Sequence, residues 1–221
     1  MIVFSPHPDD AALGCGGTIA KRVSEGFDVY VVMLTDGRHA FTKKLGITSE
    51  PSPEEVKQIR REELIGAMRM LDVPEKNLFF FDFEDGTLEM HKKEAEQKAI
   101  DIIEKYWPAD IYYPFRRDCH PDHRATNQIV RHVLKQLRYA GSYEYTITHT
   151  YAYLGPVVEK FLSVLRGDEV EEDISAFLSL KERVLDEYKS EMTIVSSKQK
   201  KPLHTSVKKF LKKKETFHEL K

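Results

Sequence analysis

Residues 29–34 read Val-Tyr-Val-Val-Met-Leu, a continuous apolar run with no polar alternation. A strand with one wet face alternates, and a strand covered on both faces does not. The run therefore requires helices above and below it. The neighbouring sequence supplies them. Ile2–Ser5 reads as another buried strand, and a helix-compatible stretch follows over 12–25, ending at Gly26. The spacing predicts a helix over 53–71, with Ser52 as its N-cap and Glu54 and Glu55 in its first turn. Further strands are predicted over 78–81, 111–113 and 145–153, and helices over 91–107 and 122–139. Trp107-Pro108 reads as a helix end. Strands separated by helices give a Rossmann-like α/β fold with a mostly parallel sheet. No repeat or linker divides the 221 residues, so a single domain over 1–221 is expected.

Charge and cysteine content narrow the class. The chain has 34 Lys+Arg against 36 Asp+Glu, a formal net charge of −2, which gives no global reason to expect nucleic acid. The balance is uneven. Residues 196–221 hold nine Lys against Glu215 and Glu219, so this segment carries +7 and the remainder −9. The segment is read as a helix docked on the body through Val207, Phe210 and Leu211, in preference to a basic arm for nucleic acid or acidic lipid. Residues 168–173 read as an acidic surface turn. With Cys15 and Cys119 alone, the chain is neither a disulfide scaffold nor a multi-thiolate metal site, and both thiols are expected to be buried. No apolar run approaches the ~20 residues of a membrane span, and Met1–Ser5 has no basic start like a signal peptide. A cytoplasmic protein is the expectation.

In open α/β sheets, sites form at the carboxyl ends of strands. Two segments there are crowded with imidazole and carboxylate. Pro6-His7-Pro8-Asp9-Asp10 follows the first strand, and Asp118-Cys119-His120-Pro121-Asp122-His123 follows the fourth. His and Asp are ligands for a divalent metal of the zinc or iron type. A catalytic zinc keeps three protein ligands and one open position, which His7, Asp10 and His123 would supply. Asp9 cannot point the same way as Asp10, and is free to act as a general base; a second ligand or an N-cap are its other readings. His120 can face the same cavity. Asp122 reads as the N-cap of the next helix and also as a carboxylate that orients a neighbouring imidazole.

Pro-His-Pro-Asp-Asp followed by Gly14-Cys15-Gly16-Gly17-Thr18, then Thr35-Asp36-Gly37, then Asp-x-His-Pro-Asp-His, resembles the PIG-L/LmbE-type zinc-dependent deacetylases. The likeness continues through Arg60-Arg61-Glu62-Glu63 with Ala67 and Leu71-Asp72-Val73. It returns weakly at Asp173-Ile174-Ser175, Lys181 and Tyr188-Lys189-Ser190. The resemblance implies removal of acetyl from an N-acetylglucosamine-containing small molecule or glycoconjugate, with Zn2+ (or Fe2+) as cofactor. It implies metal ligands at His7, Asp10 and His123, a base at Asp9 and an oxyanion-stabilising His120. If protonated, His120 would stabilise that oxyanion as a charged donor. Arg60 aligns with an Arg that contacts sugar hydroxyls, and Asp36 and Arg38 are further candidate substrate contacts. On spacing alone, Arg60 reads equally as a surface ion-pair residue. Relatives are often oligomers, so a homo-oligomer is admitted. The family's common Glu after the paired Asp is Ala11 here, and Arg38 stands after Thr-x-Gly, which opens the question of substrate. The competing readings are a zinc amidase acting on another amide, such as a thiol conjugate, and a non-catalytic metal-containing protein that binds through its basic end.

Other features take structural readings. Gly14, Gly16 and Gly17 after a strand mimic a dinucleotide-binding turn, but the third fingerprint glycine is Ile19, so close helix packing is the expected use. His39, His91, His149, His204 and His218 lack partners nearby in sequence. Residues 79–83, Tyr112 and Tyr113 are assigned to the core, and Phe41 and Phe115 to the rim of the site.

Overall fold

A computed structural model describes residues 1–147, 168–203 and 207–220. Its sheet has seven strands in the order β3-β2-β1-β4-β5-β7-β6. These are β1 (Ile2–Ser5), β2 (Tyr30–Thr35), β3 (Leu78–Phe83), β4 (Ile111–Pro114), β5 (Ser142–Tyr145), β6 (Glu169–Asp173) and β7 (Lys214–Leu220). β1 to β5 pair in parallel, while β7 is antiparallel to both β5 and β6. Among the described residues the α-helices are α1 (Asp10–Ser24), α2 (Ala40–Leu45), α3 (Pro53–Met70), α4 (Lys92–Tyr106), α5 (Pro121–Leu137), α6 (Leu178–Leu185) and α7 (Lys189–Met192).

The apolar run of β2 is covered on both sides, as its composition requires. Val31 and Met33 face a core with Leu13 and Ile19 of α1, Leu64 and Met68 of α3, and Val184 and Leu185 of α6. Val32 and Leu34 face the opposite core, with Ala99 and Ile103 of α4 and Ile129, Val130 and Val133 of α5. α3 begins where its cap residues dictate. Ser52 Oγ accepts from the Glu55 backbone N–H at 3.3 Å, and the Glu55 carboxylate accepts from the Ser52 backbone N–H at 2.8 Å. α4 ends at Trp107, whose φ of 36° takes the chain out of the helix.

Four expectations need correction. The fifth strand lies earlier than 145–153: it is Ser142–Tyr145, and 148–153 fall outside the described residues. The acidic stretch 168–173 is largely strand, because β7 offers an unpaired edge to it. The Lys-rich end is not a helix over its length. Residues 214–220 form β7, while Val207, Phe210 and Leu211 pack partly buried against the core. Phe41 and Phe115 are buried rather than on a rim. Phe41 packs with Ala40, Ile47 and Val56, and the Phe115 ring lies 4.8 Å from that of His218. Among the described residues, no helix is long and apolar enough to cross a membrane.

Candidate metal centre

The loop after β1 is pinned before it delivers any chemistry. Ser5 Oγ donates to the His7 carbonyl at 2.6 Å and accepts from the Ala11 backbone N–H at 3.1 Å. Thr35 Oγ1 donates to the Pro6 carbonyl at 2.7 Å, and Tyr188 Oη to the Pro8 carbonyl at 3.0 Å. Asp10 then enters α1 at its first turn, where the helix dipole favours a carboxylate. On the neighbouring strand, α5 starts with Pro121, whose missing N–H costs nothing at a helix start. Its N-cap is His120, not Asp122, and His120 Nδ1 accepts from the Asp122 backbone N–H at 3.3 Å. His123, in the first turn of α5, is buried.

β1 and β4 are adjacent, so the two loops meet. His7 Nδ1 lies 3.1 Å from Asp10 Oδ2 and 3.2 Å from His123 Nε2, and His123 Nε2 lies 3.1 Å from Asp10 Oδ2. Three donor atoms thus form a nearly equilateral triangle. Metal bonds of about 2.0–2.1 Å at tetrahedral angles place neighbouring donors about 3.3 Å apart, so the triangle fits a small divalent cation. His120 adds a further nitrogen able to join His7 and His123 around an ion.

Outer carboxylates hold the imidazoles. Asp118 Oδ2 is 3.1 Å from His123 Nδ1, and Asp122 Oδ2 is 3.3 Å from His7 Nε2, with Asp85 Oδ1 at 3.7 Å. Asp122 is itself fixed by the backbone N–H groups of Gly86 at 2.7 Å and Leu88 at 3.3 Å. Burial depresses the His123 pKa, but Asp10 and Asp118 outweigh it and bring it to about 9. Burial likewise opposes charge on His7, and Asp10, Asp122 and Asp85 reverse this, raising it well above the ordinary value. Burial pushes Asp10 up, while His123 and His7 pull it well below the carboxylate range. A pocket that attracts protons this strongly is one that attracts a cation. His120 behaves oppositely. Burial first, then the charges of His7 and His123, lower it to about 4. It is therefore neutral near pH 7, and because Nδ1 accepts from the Asp122 N–H, Nε2 carries the proton.

Asp9 is buried beside Asp10, and its Oδ1 accepts from Arg60 Nη2 at 2.9 Å. Arg60 is 4% exposed, which removes the surface ion-pair reading. Its Nη1 donates to the Gly37 carbonyl at 3.0 Å, and Nη2 also lies 2.8 Å from Glu191 Oε1. Asp36 is buried, and its carboxylate accepts from Arg38 Nε at 2.8 Å, the Arg38 backbone at 3.1 Å and the Asp85 backbone at 3.3 Å. Asp36 thus holds Arg38 and the loop after β3 in place. Cys15 is buried, whereas Cys119, on the loop before α5, is exposed. His39 lies 2.8 Å from Glu84, and His91 stacks on Phe83 at 5.2 Å. His149 and His204 fall outside the described residues. Asp85, Tyr188 and Glu191 were not singled out from sequence as site residues. Glu191 directly follows Tyr188-Lys189-Ser190, and that adjacency was the one available signal.

The family model described as "PIG-L: GlcNAc-PI de-N-acetylase" matches residues 2–134, which contain both loops. The diacetylchitobiose deacetylase of Thermococcus kodakarensis is 34% identical over 128 residues, 56% of this chain and 45% of that protein. A probable N-acetyl-alpha-D-glucosaminyl L-malate deacetylase 2 of Bacillus cereus is 32% identical over 133 residues, 59% of this chain and 58% of that protein. The match therefore spans about half the length of these relatives. The solved N,N'-diacetylchitobiose deacetylase of Pyrococcus horikoshii shares the fold, with a TM-score of 0.71 at 22% identity, covering 99% of this chain and 82% of that one.

Proposed function

The chain belongs to the PIG-L (GlcNAc-PI de-N-acetylase) family, and from that membership we propose that it is a zinc-dependent N-deacetylase. It removes acetyl from an N-acetylglucosamine-containing compound, giving acetate and a free amine. The observation that carries this reading is the donor triangle of His7 Nδ1, Asp10 Oδ2 and His123 Nε2, with sides of 3.1–3.2 Å, beside a carboxylate that is not part of it. These three residues would hold the ion. Zinc in such a site supplies Lewis-acid activation of a water and of the amide carbonyl.

The chain's own residues do the rest. Asp9 accepts the proton of the attacking water. Arg60 donates to its Oδ1 and so fixes the orientation of the carboxylate that takes that proton. His120 presents Nε2–H to the oxygen that becomes anionic, and a neutral donor suffices there. Asp9 then returns its proton to the departing nitrogen, since an unprotonated amine leaves poorly. Asp118 and Asp122, with Asp85 behind, orient the two imidazoles so that their inward nitrogens face the ion they would hold. Arg38 and Arg60 are the candidate contacts for sugar hydroxyls. Asp36 serves them indirectly by orienting Arg38.

Metal analysis of the purified protein, beside a free-amine assay on a panel of N-acetylglucosamine compounds, tests the reading. One equivalent of metal and equimolar acetate and amine are expected. Release of a larger acyl fragment instead of acetate would move the chain to the other-amide reading, and a metal-loaded, folded protein inert on every amide would refute an enzyme.

A further inference from the structure

The described parts of the Lys-rich segment, 196–203 and 207–213, fit no part of the chemistry above and occupy a defined place. Residues 196–213 contain seven Lys and no Asp or Glu. At its start, Ser196 Oγ donates to the Glu50 carbonyl, and Lys198 pairs with Glu50 at 3.4 Å. Leu203 packs against the cluster of Ala40, Phe41, Ile47 and Val56, which is the loop region after β2. Further on, Lys209 Nζ donates to the Ile147 carbonyl just past β5 at 3.3 Å, and lies close enough to Asp118 and Cys119 to interact electrostatically. β7 runs antiparallel to β5, so its first residue, Lys214, also lies at the carboxyl edge of the sheet. In the strand order β2-β1-β4-β5, the segment has its anchors at β2 and at β5. Between those two strands stand β1 and β4, whose loops hold His7, Asp10, His120 and His123.

The two ends of the segment therefore flank the mouth of the candidate metal centre. Lys200, Lys201, Lys212 and Lys213 are exposed, and none has an ion pair among the described residues. The floor beneath is acidic, with Asp9, Asp10, Asp36, Asp85, Asp118 and Asp122 all buried. Of these, Asp9, Asp36 and Asp85 are already paired with Arg60, Arg38 and Lys43. A cleft edged by one sign of charge concentrates ligands of the opposite sign and speeds their arrival.

We infer that the lysines of 198–201 and 208–213 form a basic rim that selects amino-sugar substrates bearing an anionic group, a phosphate or a carboxylate, on the part of the molecule that projects from the site. The inference rests on the deacetylase reading and names the substrate class that reading leaves open.

The test compares N-acetylglucosamine 1-phosphate, a carboxyalkyl glycoside of N-acetylglucosamine and its neutral methyl glycoside. At low salt, the anionic compounds should lead the neutral one by about 10-fold or more in kcat/KM, and the lead should shrink as salt is raised. The phosphate and carboxylate arms show which anion fits. In a Lys200→Gln/Lys201→Gln/Lys212→Gln variant, with zinc content and melting temperature checked, the ratio of anionic to neutral kcat/KM should fall several-fold. Calorimetric binding of the same three compounds runs in parallel, so that absence of all turnover refutes the deacetylase reading while the binding preference still decides the rim. A neutral compound equal to or better than both anions, with no salt dependence, overturns the inference. So does tight oligonucleotide binding lost in the triple variant, which would assign the lysines to nucleic acid.

Discussion

Asp9 and Asp10 are adjacent in sequence and diverge in space. Asp10 Oδ2 faces two imidazoles, while Asp9 Oδ1 faces Arg60. Asp9→Asn should keep zinc and fold, and lose the proton acceptor. A positioned general base contributes about 10²–10⁴-fold, so kcat should fall by that factor with little change in KM. Asp10→Asn should instead weaken metal binding, with activity partly restored by excess Zn2+. Zinc content and kcat measured for both variants check the pair, and the reverse pattern would swap the roles. The imidazoles make a second prediction, on pH. His123 is raised to about 9 in the metal-free protein, so its contribution to stability is complete below the ordinary value of 6.5 and is lost as pH rises towards 9. His7 is shifted the same way. The melting temperature of metal-free protein should fall between pH 6.5 and 9. The zinc-loaded protein should not show this fall, because its ligands are bound as neutral imidazoles. The two His/Asp clusters were legible because each sits within a few residues at a strand end. Glu191 and Asp85 were not, since only the folded chain brings them to Arg60 and His7.

At the scale of elements, the glycines after the first motif decide between two uses of α1. A Cβ added at Gly17 would lie 2.7 Å from Ile174 Cβ, and one at Gly14 would lie 2.9 Å from Tyr145 Cγ. At Gly16 it would meet Lys181 Cγ at 3.4 Å, an ordinary contact. The glycines thus admit neighbours to the helix surface, as expected of packing and not of phosphate binding. Gly17→Ala should be destabilising by about 1–3 kcal/mol through overpacking. Gly16→Ala should be neutral or stabilising by up to ~1 kcal/mol, because alanine favours the helix interior. Urea unfolding of both variants measures the contrast; equal costs would show that the close approach of Ile174 to Gly17 does not matter. The strands and helices up to α5 were readable within a few residues, because local periodicity and capping agree with the tertiary arrangement there. α2 was missed, being only Ala40–Leu45 and closed by Gly46 at a φ of 70°.

At the scale of the whole molecule, the carboxyl-terminal strand defeats local reading. Val207, Phe210 and Leu211 have helical spacing, and the lysines around them do not contradict it. What settles 214–220 is distant: β5 and β6 bracket it, and Phe217 buries its ring edge-on against Tyr112 at 4.9 Å. The same strand carries Glu215 under α1. Its carboxylate accepts from the backbone N–H groups of Gly17 at 2.9 Å and Thr18 at 2.8 Å, from Thr18 Oγ1 at 2.6 Å and from Lys181 Nζ at 2.6 Å. Lys181 Nζ also donates to the Leu13 carbonyl at 2.8 Å. One buried pair therefore joins α1, α6 and β7, elements from the two ends of the chain. Removing one member leaves an uncompensated buried charge, which costs about 3–5 kcal/mol. Lys181→Met should lower the melting temperature by roughly 6–20 °C, at about 2–4 °C per kcal/mol for a chain of this size. A Lys181→Met/Glu215→Gln double variant should recover part of that loss, because the stranded carboxylate is gone. Thermal unfolding of the two single variants and the double gives the coupling. Strict additivity would mean that the pair does not hold the end of the chain to its beginning. The proposed basic rim depends on that attachment, since Lys212 and Lys213 lead directly into β7 at the carboxyl edge of the sheet.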